Sequence, residues 1–427
     1  MPASDRRKHR NQTIIQAVMD MKTIPVVLIT GFLGSGKTTL LNRILTNSEG
    51  IRFAVIVNDI GEVNIDATLI QKGGVVGQNG GDDLVALQNG CICCTLQADL
   101  IKQISDLIEK DCFDYIAIEA SGVCEPAPIA ATISQMANMH GAIPPKALPR
   151  LDCIISVADA LRLQSEFGCG KALTREGITD EDIENLIADQ IEFCNLVLLN
   201  KISEVSREDA GEIKAVVRAM QPRARIIECD YCDVPLSELL NTYLFNFDRT
   251  ATSATWIQEV ENPETNHEHA HHNEHHHEHE YDHEDEHEHH HHHHHHDHDH
   301  GETEEYGIGT WVYFRRRPFD FNKFDSFSFR RWPKNIIRTK GLVYFSQNRD
   351  MSLIFEQAGV QKSLKESGLW YASAPEDELR QMMEEDPALL RDWDEEYGDR
   401  MIKLVFIGRE IDKEELTRQL DACLAAK

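Results

Sequence analysis

A glycine-rich segment near the start of the chain constrains the fold more than any other feature. Residues 31–38 read Gly-Phe-Leu-Gly-Ser-Gly-Lys-Thr and match the pattern G-x-x-x-x-G-K-[ST]. An apolar run at 26–29 precedes the segment and predicts a buried strand, and residues 39–45 follow it and predict a helix. In that context the glycines let backbone N–H groups point inward around phosphates. The segment therefore predicts a nucleotide-binding P-loop, with an ordinary glycine-rich βα turn as the alternative.

Length and composition limit the class of protein. At 427 residues the chain is long enough for two domains. Much of its formal charge of −29 comes from residues 261–305, which hold 16 acidic residues and no Lys or Arg. An acidic chain of this kind argues against a nucleic-acid groove, and no run approaches the roughly 18 apolar residues of a membrane span.

Residues 1–20 lack the apolar core of a signal peptide, and 11 cysteines do not resemble a disulfide framework. We expect a cytoplasmic protein with reduced thiols and with neither a nucleic-acid nor a membrane partner.

Further apolar runs alternate with helical patterns along the first half of the chain, at 53–57, 115–119, 153–157 and 195–199. This alternation predicts an α/β fold, a P-loop doubly wound parallel sheet with helices on both faces. The second of these runs ends at Glu119, at the edge of the sheet where ligands bind. In P-loop enzymes an acid at this place holds Mg²⁺.

The segment Asn200-Lys201-Ile202-Ser203 follows the last of these strands. GTPases place Asn-Lys-x-Asp here, and the Asp accepts two hydrogen bonds from guanine. A serine cannot make the same bidentate, charge-assisted contact. Ser203 therefore weakens the prediction of a strict guanine preference.

The amino-acid composition changes sharply between the two globular parts of the chain. Twenty of its 22 histidines lie between His267 and His300, interleaved with acids. No core can form from that composition, which predicts a disordered, metal-binding linker that buffers divalent cations such as Zn²⁺. We expect an N-terminal extension at 1–21, a P-loop domain at 22–250, the linker at 251–305 and a smaller C-terminal α+β domain at 306–427. In that last domain we expect helices at 325–331 and 412–424, the second capped by Asp412.

Three thiols in four residues, Cys91, Cys93 and Cys94, predict a metal site. Thiolates favour Zn²⁺ or Cu(I). Three ligands from one loop leave a tetrahedral ion with one open position, which suits a site that transfers its metal better than a closed structural site. A redox role for the same thiols is the alternative. Cys229 and Cys232 form an isolated C-x-x-C pair, which we interpret as a surface turn.

Five segments together resemble the CobW-type metallochaperone GTPases. They read GFLGSGKTTLLN, NDIGEVNID, LQNGCICC, EASG and SVADA, and the later segments IIRTKGLVYF, WYA and LVFIGRE are similar to that family's C-terminal domain. The resemblance covers roughly residues 22–240 and 306–425. Ser203 departs from the family's Asp, and Asp59 stands where the family usually has Glu.

The resemblance implies a role for each matching residue. The nucleotide would contact the P-loop and the base loop through Gly31, Gly34, Ser35, Gly36, Lys37, Thr38, Thr39, Asn200 and Lys201. Thr38, Asp59 and Glu119 would serve Mg²⁺, and Lys37, Thr38 and Glu119 would act in catalysis. Cys91, Cys93 and Cys94 would bind the cargo Zn²⁺, with Glu62 as an added ligand.

These observations predict a GTPase that uses GTP and Mg²⁺ to move Zn²⁺ to a client metalloprotein. One alternative is a cobalt or iron insertion chaperone, of the nitrile hydratase activator or cobalamin-pathway type. Another is a zinc-storage protein with a vestigial nucleotide site. Self-association into a homo-oligomer stays open.

Overall fold

The computed structural model describes residues 22–46, 50–57, 84–86, 97–138, 146–167, 183–261, 306–385 and 393–426. The predicted N-terminal extension and most of the predicted linker lie outside these residues. No helix among the described ranges is long and apolar enough to cross a membrane.

Seven parallel strands form the first sheet. They are β1 Thr23–Thr30, β2 Phe53–Val57, β3 Leu84–Ala86, β4 Tyr115–Glu119, β5 Leu148–Asp159, β6 Leu196–Asn200 and β7 Arg225–Glu228. Their order across the sheet is β3-β2-β4-β1-β5-β6-β7, and each neighbouring pair is parallel. This arrangement confirms the predicted doubly wound fold.

Helices connect these strands and cover the sheet. They are α1 Lys37–Thr46, α2 Gln97–Lys110, α3 Pro126–Asn138, α4 Ala160–Phe167, α5 Ile183–Glu192, α6 Arg207–Met220, α7 Phe247–Ala251 and α8 Thr255–Glu261. Every residue of β2, β4 and β6 is buried. Continuous apolar strands of this kind are expected where helices cover both faces of a parallel sheet. The predicted linker begins at 251, whereas α8 forms a helix within its first residues.

The strand order places the P-loop at a switch point. β1 lies between β4 and β5, so the chain leaves the centre of the sheet at Thr30 and enters the P-loop there. The strands on one side of β1 precede those on the other side in the sequence. In open α/β sheets, ligands bind beyond the carboxyl ends of the strands at such a point.

A second sheet of five strands belongs to the C-terminal part of the chain. Its strands are β8 Ile308–Arg315, β9 Ile336–Phe345, β10 Asn348–Ala358, β11 Gln361–Leu369 and β12 Ile402–Arg409, in the order β11-β10-β9-β12-β8. β8 and β12 are antiparallel. Helices α9 Phe321–Arg330, α10 Glu376–Glu385 and α11 Lys413–Asp421 accompany it. These elements confirm the predicted α+β module.

Two predicted helix starts have different outcomes in this module. Asp412 caps α11 as predicted, because its side chain accepts a hydrogen bond from the Glu415 N–H. The prediction of a helix starting at Asp325 was wrong by four residues, since α9 begins at Phe321. Asp320 caps that helix by accepting from the Lys323 N–H, so the aromatic residues that follow Asp320 form its first turn.

The chain divides into two compact units. The first contains the parallel sheet together with residues 334–338 and 356–363, and the second contains the remainder of the five-stranded sheet with its helices. The start of β9, and a segment that spans the end of β10 and the start of β11, therefore belong to the first unit.

A buried guanidinium holds the first of these segments in the first unit. Arg338 is 1% exposed, and its Nε donates to Glu192 Oε1 at 2.8 Å. Its other nitrogens donate to Asn185 Oδ1 at 2.8 Å and to Asp189 Oδ1 at 3.0 Å, so all three acceptors come from α5. Burial would lower the pKa of Arg338, but the carboxylates of Glu192 and Asp189 raise it above its ordinary value. The guanidinium is therefore charged, and each of its three nitrogens donates a hydrogen bond to α5.

We expect Arg338→Ala to reduce the free energy of unfolding by about 3–5 kcal/mol, because it leaves buried carboxylates without their cation. Urea denaturation measures the loss. Arg52→Ala is the matched control, since Arg52 also makes a bidentate ion pair, with Asp114, but on the exposed surface. This substitution should reduce the free energy of unfolding by a clearly smaller amount. Equal effects of the two substitutions would contradict this account of Arg338.

Candidate functional site: the carboxyl edge of the parallel sheet

The P-loop backbone has a shape that side chains would prevent. Gly31, Gly34 and Gly36 have φ values of +135°, +76° and +117°. A Cβ on Gly31 would lie 2.2 Å from the carbonyl oxygen of Val157, and one on Gly36 would lie 2.5 Å from the Asn200 Nδ2. Gly31 and Gly36 are therefore required by both backbone conformation and close packing, and Gly34 by its backbone conformation alone.

Lys37 and Thr38 form the start of α1. Lys37 is buried, and its Nζ donates to the carbonyl oxygen of Phe32 at 3.2 Å, which holds the ammonium group against the P-loop backbone. The Thr38 hydroxyl donates to Glu119 Oε1 at 3.0 Å. The next residue, Thr39, is exposed.

Strand pairing brings Glu119 to Thr38. Glu119 is the last residue of β4, and its partners in register are Ile29 in β1 and Val57 in β2. It is 3% exposed. Hydroxyl and carboxylate oxygens side by side are the kinds of ligand that Mg²⁺ prefers, so these two residues fit that ion.

The amide of Asn200 links the P-loop to the far side of the edge. Asn200 is 2% exposed, and its Nδ2 donates to the carbonyl oxygen of Ser35 at 2.8 Å. Its Oδ1 accepts a hydrogen bond from the Cys232 N–H at 3.0 Å. One side chain thus fixes two loops, one after β1 and one after β7. The Ser35 hydroxyl is itself buried and has no hydrogen-bond partner among the described residues.

Lys201 extends the site along the edge of the sheet. Its backbone is left-handed, with φ of +59°, and its Nζ lies 2.5 Å from Asp159 Oδ2. Asp159 ends β5 and pairs in register with Asn200. Sequence reasoning did not single out Asp159, although an acid directly after an apolar strand was the signal used for Glu119.

The interpretation of the C-x-x-C pair as a surface turn was wrong. Cys229 is 6% exposed and Cys232 is fully buried, with its Sγ donating to the carbonyl oxygen of Gly36 at 3.4 Å. The thiol contact with Cys232 lowers the pKa of Cys229, and the pKa of Cys232 is raised by that same contact and by burial. The burial follows from the hydrogen bond of Asn200, which draws the loop under the P-loop and is not visible in the spacing.

The predicted cargo-metal site lies outside the described residues. This applies to Cys91, Cys93, Cys94 and Glu62, and to the predicted Mg²⁺ ligand Asp59. Within the part of the chain that is described, no group of three metal-ligating side chains comes together. The site residues that the structure does bring together are those of the P-loop, Glu119, Asn200 and Lys201.

Comparison with known families gives two matches that cover separate parts of the chain. Residues 25–228 match the CobW/HypB/UreG nucleotide-binding domain, and residues 308–424 match the cobalamin synthesis protein CobW C-terminal domain. A zinc-regulated GTPase metalloprotein activator 1 of Dictyostelium discoideum is 31% identical over 422 residues, which is 95% of this chain and 81% of the relative. The chain belongs to the CobW/HypB/UreG family of P-loop GTPases.

Two further matches to this CobW-family chain, one curated protein and one solved structure, differ in coverage. A zinc chaperone CobW of Pseudomonas aeruginosa is 31% identical over 52% of this chain and 61% of its own length. The crystal structure of Zn(II)-bound YjiA GTPase from E. coli aligns with 95% of this chain and 100% of its own, at 19% identity and a TM-score of 0.38.

We expect Asn200→Ala to lower nucleotide affinity about 10-fold or more, because it releases Ser35 and Cys232 and leaves their buried backbone groups unpaired. Titration with a fluorescent guanine nucleotide measures the change.

Asn195→Ala is the matched control for this prediction. Asn195 lies at the opposite end of β6, where its side chain accepts from the Ile154 N–H and donates to Thr250 Oγ1. We expect it to cost stability, about 1–3 kcal/mol, without changing nucleotide affinity. Equal affinity losses in both variants would show that the effect of Asn200 is a general loss of fold.

Proposed function

We propose that this chain is a GTP-hydrolysing metallochaperone that binds Zn²⁺ at Cys91, Cys93 and Cys94 and passes it to a client metalloprotein. The observation that carries the proposal is the contact of 3.0 Å between Thr38 Oγ1 and Glu119 Oε1 beside the P-loop. It places a hydroxyl and a carboxylate together at the edge where the nucleotide phosphates would lie. A storage protein with a vestigial nucleotide site would have no use for Thr38, Glu119 and Lys37 at one place, so their arrangement favours a working site.

The P-loop residues would hold the phosphates and orient them for hydrolysis. Backbone N–H groups at Gly34 and Gly36, with Thr38 and Thr39, would donate to the phosphate oxygens, and Lys37 would stabilise negative charge as it develops. The Ser35 N–H donates to the carbonyl oxygen of Phe32, which closes the loop around that position. Thr38 and Glu119, with Asp59, would hold Mg²⁺, which when bound neutralises charge on the β- and γ-phosphates. Water would be the attacking group.

The ends of two strands that precede the thiol segment in the sequence support coupling between nucleotide and cargo. Val57, the last residue of β2, pairs with Glu119, and Asp59 follows two residues later. Ala86, the last residue of β3, pairs with Val57 at the same edge. Cys91 follows Ala86 by five residues in the sequence. We therefore infer that nucleotide contacts at this edge act on the thiols through this short connection.

The names of two relatives favour zinc as the cargo. One is named a zinc-regulated GTPase metalloprotein activator and the other a zinc chaperone. Thiolate ligands and the histidine-rich segment are also compatible with Zn²⁺. Cobalt or iron insertion stays the second candidate, because the thiolates alone do not exclude those ions. A cytoplasmic location fits thiols that must stay reduced.

We expect the affinity of the full chain for Zn²⁺ to change when Mg²⁺ and a non-hydrolysable GTP analogue are added. Nucleotide contacts at the edge of the sheet would order or release the tethered thiol segment. A competitive zinc titration against a fluorescent chelator measures the change, and the same titration with Co²⁺ and Fe²⁺ tests the cargo.

The triple variant Cys91→Ser, Cys93→Ser, Cys94→Ser should lose the nucleotide-dependent part of Zn²⁺ binding and keep the binding due to the histidine-rich segment. Cys112→Ser is the matched control, since Cys112 is a free, partly exposed thiol outside the motif. Equal zinc affinity in all nucleotide states would contradict coupling, and storage would then be favoured.

We expect Lys37→Ala to reduce GTP turnover by about 100-fold or more, because it removes charge stabilisation at the phosphates. Phosphate release under saturating GTP measures the rate. Lys22→Ala is the control, since Lys22 pairs with Asp111 on the exposed surface. Turnover that is unchanged in Lys37→Ala would rule out hydrolysis at this P-loop.

A further inference from the structure

The base-binding end of the nucleotide site lacks the acid that guanine recognition needs at residue 203. Guanine offers two donors on one edge, N1–H and the 2-amino group, and a carboxylate can accept both. Ser203 has one hydroxyl and cannot accept from both donors in this way. A chain that binds GTP selectively therefore needs a carboxylate from elsewhere.

The structure places a carboxylate against Ser203. Asp230 Oδ1 accepts hydrogen bonds from the Ser203 N–H at 3.1 Å and from the Ser203 hydroxyl at 2.9 Å. Both donors converge on a single carboxylate oxygen. Among the described residues, the second oxygen, Oδ2, has no hydrogen-bond partner. Ser203 therefore fixes the orientation of Asp230 and leaves one charged carboxylate oxygen, whose two lone pairs can accept from both N1–H and the 2-amino group of guanine.

Backbone contacts hold the two loops side by side. Ser203 follows β6 and Asp230 follows β7, and these strands are parallel neighbours. The Cys229 N–H donates to the carbonyl oxygen of Leu199 at 3.0 Å, and the Ile202 N–H donates to that of Cys229 at 3.3 Å. The carboxylate thus comes from the neighbouring loop at the same edge of the sheet.

Two other acids near the base loop, Asp159 and Asp233, are already committed to protein partners. Asp159 uses Oδ2 for Lys201 Nζ and Oδ1 for the Arg162 N–H at 3.2 Å. Asp233 pairs with Arg43 at 2.5 Å and is largely exposed. Asp230 is half-buried beside the base loop and uses only one of its oxygens.

We propose that Asp230 is the guanine-specificity residue of this chain, and that Ser203 is the residue that positions it. The carboxylate would reach the base from the loop after β7 instead of the loop after β6. The proposal rests on the GTP binding proposed above. Ser203 by itself predicts a weakened preference for guanine. With Asp230 in the site, we expect the chain to retain that preference.

The test measures the affinities of GTP, inosine triphosphate and xanthosine triphosphate for the full chain. The unsubstituted chain should bind GTP about 10- to 100-fold more tightly than the other two, because inosine lacks the 2-amino donor and xanthine has a carbonyl there. Asp230→Asn should reverse the preference between GTP and xanthosine triphosphate, since the amide oxygen stays with Ser203 and the amide nitrogen then donates to the 2-carbonyl of xanthine, whereas it repels the 2-amino group of guanine. An unchanged ratio of the two affinities would overturn the proposal.

Asp233→Asn is the matched control, with the same loss of charge in the same loop, and should keep the original ratio. The reciprocal exchange Ser203→Asp, Asp230→Ser should restore the GTP selectivity that Asp230→Ser alone loses. Failure of that rescue in a folded protein would show that the two residues do not act as one base-binding unit. If the unsubstituted chain binds no guanine nucleotide, the proposed function itself fails, which is a different result from a loss of selectivity.

Discussion

The buried amide of Asn200 is the contact on which the nucleotide site depends. It donates to the P-loop at Ser35 and accepts from Cys232 beyond β7, so it connects loops that follow β1, β6 and β7. Each of these loops leaves the same edge of one parallel sheet. Because the backbone groups that it pairs are buried, the loops cannot separate without leaving polar groups unsatisfied. Phosphate-binding and base-binding parts of the site are therefore held in one arrangement.

The charged side chains beside the P-loop differ from those beside the base loop. At the end beside the P-loop, Lys37 donates to the carbonyl oxygen of Phe32, and Thr38 donates to Glu119, the two residues proposed to hold Mg²⁺. At the base end, Asp159 is neutralised by Lys201, and Asp230 retains an oxygen that no described residue uses. In the sequence, the proposed cargo thiols follow β3, whose last residue, Ala86, pairs with Val57. Under the proposed function, phosphate occupancy would act on the thiols through the chain that follows these strands.

Much of the parallel sheet could be predicted from the sequence because its strands are continuous apolar runs, and the P-loop because its glycines and Lys37 occur at a fixed spacing. Glu119 was predicted for the same reason, as an acid that directly ends such a run. The helix start at Phe321 was missed because the cap at Asp320 is followed by aromatic residues whose pattern suits either strand or helix. The burial of Cys229 and Cys232 was missed because it depends on a hydrogen bond from a residue about 30 positions away.

The sequence by itself determined the class of fold, the phosphate-binding loop and the residue types available to Mg²⁺ and zinc, since these follow from local periodicity and short motifs. Only the tertiary structure decided what faces the base. Ser203, considered alone, indicates a weakened guanine site, whereas its contact with Asp230 supplies a carboxylate from the next strand. The reason is physical. Residues far apart in the sequence meet where parallel strands end together, and a hydrogen bond between two such loops leaves no trace in the spacing of either one.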